Sequence, residues 1–379
     1  MTKRKKILFL SSWYPTPANP THGIFVQRHA RAISLCNDVL VLYFSASVNS
    51  DNGFEVCESP FQEVLLGYEK PPINKISKYL FLKRQYENAF QQLQKKWGLP
   101  DIVHLNVVFP LAPIALSICK KWNVPLVVTE HWTGYLPDDG NYKGLIQKHL
   151  TKKTIRFARA VLPVTRHLES EMKRHGLSGK YFPIPNVVDT DFFHPVASVQ
   201  KSETVFLHLS SLDERQKNPR SIIQAFQLLN AEHQHTRLVV AGDGENIYEL
   251  EKFAEQLGLS GKVDFFYRPQ KEKLLQLIQC CDVMVLNSNF ENLPVVLLEA
   301  LCCGKPVISS DVGGVSEYIN TDNGILFSPP VFHELHKAMS VFLLQRNNFD
   351  SKKIRQFAIE NFSMQIVSEK INRIYNTLS

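Results

Sequence analysis

Short, continuously apolar runs alternate with helix-length amphipathic stretches along nearly the whole chain. Strands covered on both faces need apolar side chains at successive positions, so unbroken runs point to parallel strands inside a layered α/β structure. The expected strands are Lys6–Leu10, Val39–Phe44, Ile102–Leu105, Leu126–Thr129, Val161–Val164, Val205–Leu209, Arg237–Ala241, Lys262–Phe266, Val283–Leu286, Pro306–Ser309 and Ile325–Phe327. Strand–helix–strand order of this kind predicts a doubly wound α/β architecture. The pattern pauses once, where Pro183, Pro185, Asn186 and Pro195 lead into polar Ser198–Glu203. That pause predicts two Rossmann-like domains, 1–196 and 197–361, each large enough for one open sheet. The last helix, near Ser363–Leu378, carries an apolar stripe at Met364, Ile366, Val367, Ile371 and Ile374 and needs a partner surface.

Composition narrows the class. The 379 residues are 44% hydrophobic, enough for two cores. No apolar run approaches the ~20 residues of a membrane-spanning helix. Met1–Lys6 is basic, and Ile7–Leu10 is too short for the core of a signal peptide, which reads as a mature cytoplasmic start. The seven cysteines include the adjacent pairs Cys280–Cys281 and Cys302–Cys303 but no Cys-x-x-Cys, so reduced, buried thiols are expected rather than disulfides or a metal site. Residues 1–196 hold 25 Lys and Arg against 15 Asp and Glu, whereas residues 197–379 hold 18 against 21. This asymmetry suggests that the first half meets an anionic surface or substrate; no nucleic-acid partner is expected.

The segment Asp282–Glu317 is richest in chemistry. A strand ends at Asn287, and a polar turn holds Glu291. Pro294 suits the first turn of a helix that runs through Glu299 and stops at Gly304. After the next strand, Asp311, Gly313 and Gly314 turn into a short helix carrying Glu317. Two helix N-termini at the carboxyl ends of neighbouring strands make a phosphate-binding crevice. Singly, each glutamate reads equally as a surface charge and each glycine as a turn closure. Their order in one segment points to a ligand carrying both hydroxyls and phosphate.

This segment, Glu291-Asn-Leu-Pro-Val-Val-Leu-Leu-Glu299, resembles the Glu-x7-Glu signature of the retaining glycosyltransferases of family 4, which have the GT-B fold. Gly313-Gly314-Val315-Ser316-Glu317, Asn323–Phe327, Val240–Gly244 and Ile184–Asp189 with Phe193 and Pro195 match further landmarks of that family. The resemblance implies two domains facing a cleft, with the helix at 362–379 returning to the N-terminal domain. It implies that Glu299 holds the ribose hydroxyls and that Glu291 contacts the donor sugar, beside the backbone N–H groups of Asn292 and Leu293. Pro294 has no N–H to offer there. Tyr267 and Arg268 would lie by the base, and Lys217 would neutralise the leaving diphosphate. The family usually has an arginine six residues before that lysine. Here Ser211 occupies the place, and Arg215 or Arg268 would have to compensate.

In the N-terminal half, the loop after Lys6–Leu10 carries Pro15, Pro17, Pro20 and Gly23, with a helix from Ile24. By resemblance this loop lies under the diphosphate, Gly23 allowing close backbone approach; a plain turn glycine is the alternative. His131, in Glu130-His-Trp-Thr-Gly134, matches the family's active-site histidine, although a lone histidine at a strand end is often structural.

Three other patterns compete. Gly242-Asp-Gly244-Glu-Asn-Ile247 lacks the third glycine of a dinucleotide fingerprint. Asp189-Thr-Asp191 looks like the Asp-x-Asp metal motif but falls in the linker-like stretch. The run Lys143, Lys148, Lys152, Lys153, Arg156, Arg159 suits either a solvated helix face or an anionic membrane surface.

The expectation is a retaining, metal-independent hexosyltransferase that needs no cofactor. It would move sugar from a UDP- or GDP-sugar to a glycan or lipid-linked acceptor in cell-surface polysaccharide synthesis, and would be cytoplasmic and peripheral on the inner face of the membrane. The N-terminal domain would take the acceptor. A nucleotide-sugar epimerase and a non-catalytic nucleotide-sugar-binding protein are the rivals, the latter kept open by Ser211.

Overall fold

The structure, a computed structural model, describes residues 4–16, 19–45, 55–58, 62–67, 75–197, 202–244 and 246–378. Met1–Lys3, Pro17, 198–201 and Glu245, which entered the sequence reading, lie outside the described residues.

Two sheets organise the chain. The first contains β1 (Lys6–Ser11), β2 (Asp38–Ser45), β3 (Glu55–Glu58), β4 (Gln62–Gly67), β5 (Ile102–Asn106), β6 (Leu126–Glu130) and β7 (Ala160–Pro163), in the order β3-β4-β2-β1-β5-β6-β7. All its pairs are parallel except β3 with β4. The second contains β8 (Thr204–Ser210), β9 (Thr236–Gly242), β10 (Val263–Tyr267), β11 (Val283–Leu286), β12 (Val307–Ser310) and β13 (Gly324–Phe327), all parallel, in the order β10-β9-β8-β11-β12-β13. The second sheet thus has the doubly wound order 3-2-1-4-5-6. The first repeats it with β3 added at one edge. The antiparallel pair β3–β4 was not anticipated; only its second strand, with Val64, Leu65 and Leu66, holds an apolar run.

Continuous apolar strands have the predicted consequence. Ile7, Leu8, Phe9 and Leu10 are all fully buried, so both faces of β1 are covered. The core of the first unit gathers Ile7 and Phe9 with Val26, Ala30 and Ile33 of the helix Ile24–Ser34. Val367, Ile371, Ile374 and Tyr375 of the helix Met364–Asn376 join the same core. Each Val, Ile or Phe among them is worth about 1.5–3 kcal/mol when fully buried. Tyr375 also bonds His104 Nδ1 of β5 at 2.5 Å.

The chain divides into two compact units. Unit 1 comprises Met1–Tyr135, Gly140–Val187 and Met364–Ser379; unit 2 comprises Leu136–Asp139 and Val188–Ser363. The divide therefore falls at Val187–Val188 rather than at 196–197. Backbone polar groups explain the difference. Val188 N–H donates to Phe362 O at 2.9 Å, and Arg355 donates to Thr190 O at 3.1 Å and Phe193 O at 3.0 Å, which ties 188–193 to unit 2.

Cys36, Cys119, Cys280, Cys281, Cys302 and Cys303 are free thiols, but burial is not uniform: Cys280 is exposed and Cys36 half-buried. No described helix is long and apolar enough to cross a membrane.

Candidate functional site

In unit 2 the order of strands reverses between β8 and β11, and the loops after these two strands carry the charged groups. Ligands of open α/β sheets bind outside the carboxyl ends of strands at such a switch point. After β8, Leu212 takes φ 56° and Asp213 caps the one-turn helix Glu214–Lys217 by accepting from Gln216 N–H at 2.7 Å. That turn delivers Lys217. After β11, the buried loop Asn287–Leu293 delivers Glu291. The Lys217 ammonium donates to Glu291 Oε1, and Ser288 Oγ donates to the same oxygen at 2.8 Å. Two bonds from Asn289 lock the loops together: its backbone N–H donates to Gln216 O at 2.8 Å, and its side-chain Nδ2 donates to Arg215 O at 2.8 Å. Lys217 and Glu291, read separately from the sequence, thus form one ion pair.

Gly313 sits at φ 60°, and a Cβ there would lie 1.6 Å from Glu291 O. Only glycine lets the loop after β12 approach the Glu291 backbone so closely. Gly314 N–H then donates to Asn292 O at 3.1 Å. The short helix expected there is a single 3-10 turn, Val315–Glu317, so it brings little aligned dipole. Pro294 caps the helix Val295–Cys302 from just outside it, rather than from its first turn. Glu299, on that helix, is buried, as are Asn292 and Leu293.

Two arginines are the candidates to replace the one absent at Ser211, which is exposed. Arg215 is occupied within unit 2: it donates to Asp139 O at 2.7 Å, lies 3.6 Å from the Asp139 carboxylate and stacks 5.5 Å from the Phe290 ring centroid. Arg268, at φ 46°, lies over the Tyr267 ring at 4.9 Å, and its N–H donates to Gly242 O at 2.7 Å. Tyr267 is the last residue of β10, not part of the loop beyond it.

Unit 1 carries a second cluster at the carboxyl ends of β5 and β6. The Glu130 carboxylate is fully buried and accepts N–H bonds from Val108 (3.2 Å), His131 (3.0 Å) and Trp132 (3.0 Å), and the Tyr135 hydroxyl at 3.2 Å. Burial pushes its carboxyl up, against the pull of these donors. His131 lies beside Phe25 and His29, with ring centroids at 4.8 and 5.0 Å, and its Nδ1 is 3.1 Å from Asn186 Oδ1. Burial, then the neighbouring His29, hold its imidazole well below the usual histidine range. Sequence reasoning missed Glu130 and Ser288, and gave Asn186 no role. Their meaning lies in partners from other elements, which no local pattern announces.

Gly23 caps the helix Ile24–Ser34 at φ 70°, but a Cβ there would meet its own chain, 2.6 Å from the Trp13 carbonyl carbon. Packing against Trp13 already requires glycine, whatever else the loop binds. Asp189 Oδ1 accepts from Phe192 N–H at 3.1 Å, a turn-capping task. Among the described residues no three His, Cys, Asp or Glu side chains cluster as a metal ion would require.

Two family models match. "Glycosyl transferases group 1" spans residues 189–361, and "Glycosyltransferase Family 4" spans 38–192. The chain is 25% identical over 245 residues to one subunit of the phosphatidylinositol N-acetylglucosaminyltransferase of Arabidopsis thaliana, covering 63% of this chain and 54% of that one. It is 28% identical over 181 residues to N-acetyl-alpha-D-glucosaminyl L-malate synthase of Bacillus anthracis, covering 48% and 46%. The chain thus spans about half the length of these curated relatives. Against the putative teichuronic acid biosynthesis glycosyltransferase TuaC of Bacillus subtilis, identity is 23% over 88% of both chains. Among solved structures, sucrose-phosphate synthase from Thermosynechococcus elongatus superposes with a TM-score of 0.78 at 19% identity, over 99% of both chains. HepE of Anabaena, in complex with UDP and glucose, superposes at 0.75 and 18%, over 99% of this chain and 100% of that one. These likenesses establish the fold.

Proposed function

Since the chain belongs to the group 1, family 4 glycosyltransferases and folds as two GT-B-type α/β units, we propose that it transfers a hexosyl group, with retention and without a metal ion, from a UDP- or GDP-sugar to a glycan or lipid-linked acceptor. Unit 2 takes the donor and unit 1 the acceptor. The observation that carries this reading is the Lys217–Glu291–Ser288 set, assembled from the loops after the two switch-point strands. Glu291 orients the donor sugar and Lys217 meets the charge that develops on the leaving diphosphate. Stabilising that charge with fixed donors supplies a large part of the rate. The departing phosphate oxygen takes the acceptor's proton. His131 contacts the sugar and acceptor side; Glu299 binds ribose. Ser211, Arg215, Tyr267, Arg268, Asn292 and Leu293 complete the donor site in unit 2.

Support for the donor class comes from HepE, whose structures hold UDP, glucose and UDP-glucose. TuaC, by its name a teichuronic acid biosynthesis glycosyltransferase, supports a role in cell-surface polysaccharide. The basic helix Leu145–Phe157 in unit 1 supports peripheral association with an anionic membrane on its cytoplasmic side, where a lipid-linked acceptor would reside. A panel of UDP- and GDP-sugars, followed by nucleotide release, identifies the donor. Lys217→Ala should lower turnover of that donor by on the order of 10²–10³. Turnover within a factor of two of the parent would remove Lys217 from the mechanism.

A further inference from the structure

Phe25, His29 and Asn186, all of unit 1, hold the His131 ring. Phe25 and His29 of the helix Ile24–Ser34 flank it, the His29 ring meeting it edge-on at 76°. Asn186, in the segment just before the divide at Val187, places Oδ1 3.1 Å from His131 Nδ1. Both residues are buried, with exposures of 8% for His131 and 5% for Asn186.

An amide oxygen has only lone pairs, so the hydrogen in this contact must come from the imidazole. Burial keeps the ring neutral, and a neutral imidazole carries one proton. The proton at Nδ1 therefore leaves a lone pair at Nε2. We propose that Asn186 is a positioning residue that fixes His131 in the Nδ1-protonated tautomer, so that Nε2 accepts a hydrogen bond from a substrate hydroxyl. A hydroxyl held this way has its rotor set, with its oxygen lone pairs turned to other partners. The hydroxyl contact rests on the reading of His131 given above; the tautomer does not.

The titratable groups around the ring are His29 from the first helix, His104 from β5 and Glu130 beside it in sequence. The Glu130 carboxylate accepts from three backbone N–H groups and from Tyr135, and the Asn186 oxygen faces Nδ1. Free histidine favours the proton on Nε2, so removing the Asn186 oxygen should change the tautomer visibly.

The experiment is long-range proton–nitrogen NMR on the full chain labelled with nitrogen-15 at histidine, without substrate, His131 being assigned by its loss in His131→Phe. The parent should show His131 protonated at Nδ1. Asn186→Leu should shift it toward Nε2 protonation and lower kcat about tenfold, the worth of one hydrogen bond, with a smaller change in KM. Asn186→Asp keeps an accepting oxygen and adds a charge that favours imidazolium. It should retain Nδ1 protonation and move the acid limb of kcat to higher pH. Nε2 protonation in the parent, or an unchanged His131 signal in Asn186→Leu, would overturn the proposal. Full turnover by His131→Phe would instead defeat the substrate contact and leave the tautomer standing.

Discussion

Glu299 is a buried carboxylate on the helix that follows β11. Ribose hydroxyls are donors that suit a carboxylate acceptor. Glu299→Gln keeps the shape and removes the charge. Nucleotide affinity should fall by about 1.5–3 kcal/mol, the value of a hydrogen bond to a charged group. Calorimetry with UDP and GDP measures it, and unchanged affinity in a folded variant would exclude the ribose role. The sequence made Glu291 and Glu299 visible because their spacing is local. It could not show that Lys217 and Glu291 pair, or that Gly313 is pressed against Glu291 O, because those contacts join segments apart in the chain.

Among the elements, the helix Leu145–Phe157 has the most specific consequence. Lys148, Lys152, Lys153 and Arg156 lie along it, and Leu145 and Ile146 stand 87% and 76% exposed at its start. Apolar side chains beside a basic face suit the interface of an anionic bilayer, where each basic residue contributes ~1 kcal/mol. The chain should co-sediment with phosphatidylglycerol vesicles at low salt and less so at high salt. Leu145→Ser with Ile146→Ser should weaken binding further, whereas equal binding to neutral vesicles would reject the membrane role. Apolar continuity made most strands legible to within a residue or two. It missed the pair β3–β4: Glu55-Val-Cys-Glu58 contains no such run, and the run in β4, Val64-Leu-Leu66, is only three residues long.

For the molecule as a whole, buried histidines tie stability to pH. Burial lowers His29 to about 4 and His104 to about 3 in unit 1, and His208 to about 4 in unit 2, from an ordinary 6.5. The unfolded chain takes up protons as pH falls through 6.5, while the folded chain does not until about 4. Stability is therefore fully present above pH 6.5 and is lost as pH drops from there toward 4, each group contributing about 1.4 kcal/mol per unit of difference. Urea midpoints at about pH 7.5, 6 and 5 should fall steadily; a flat series would mean these rings are not held neutral. The central claim concerns chemistry, and the anomeric proton of the transferred sugar reports on it directly. Time-resolved proton NMR with the accepted α-linked nucleotide sugar, in the presence of EDTA, should show an α-configured product formed at the undiminished rate. A β-configured product, or turnover lost on chelation and restored by Mg²⁺ or Mn²⁺, would contradict it.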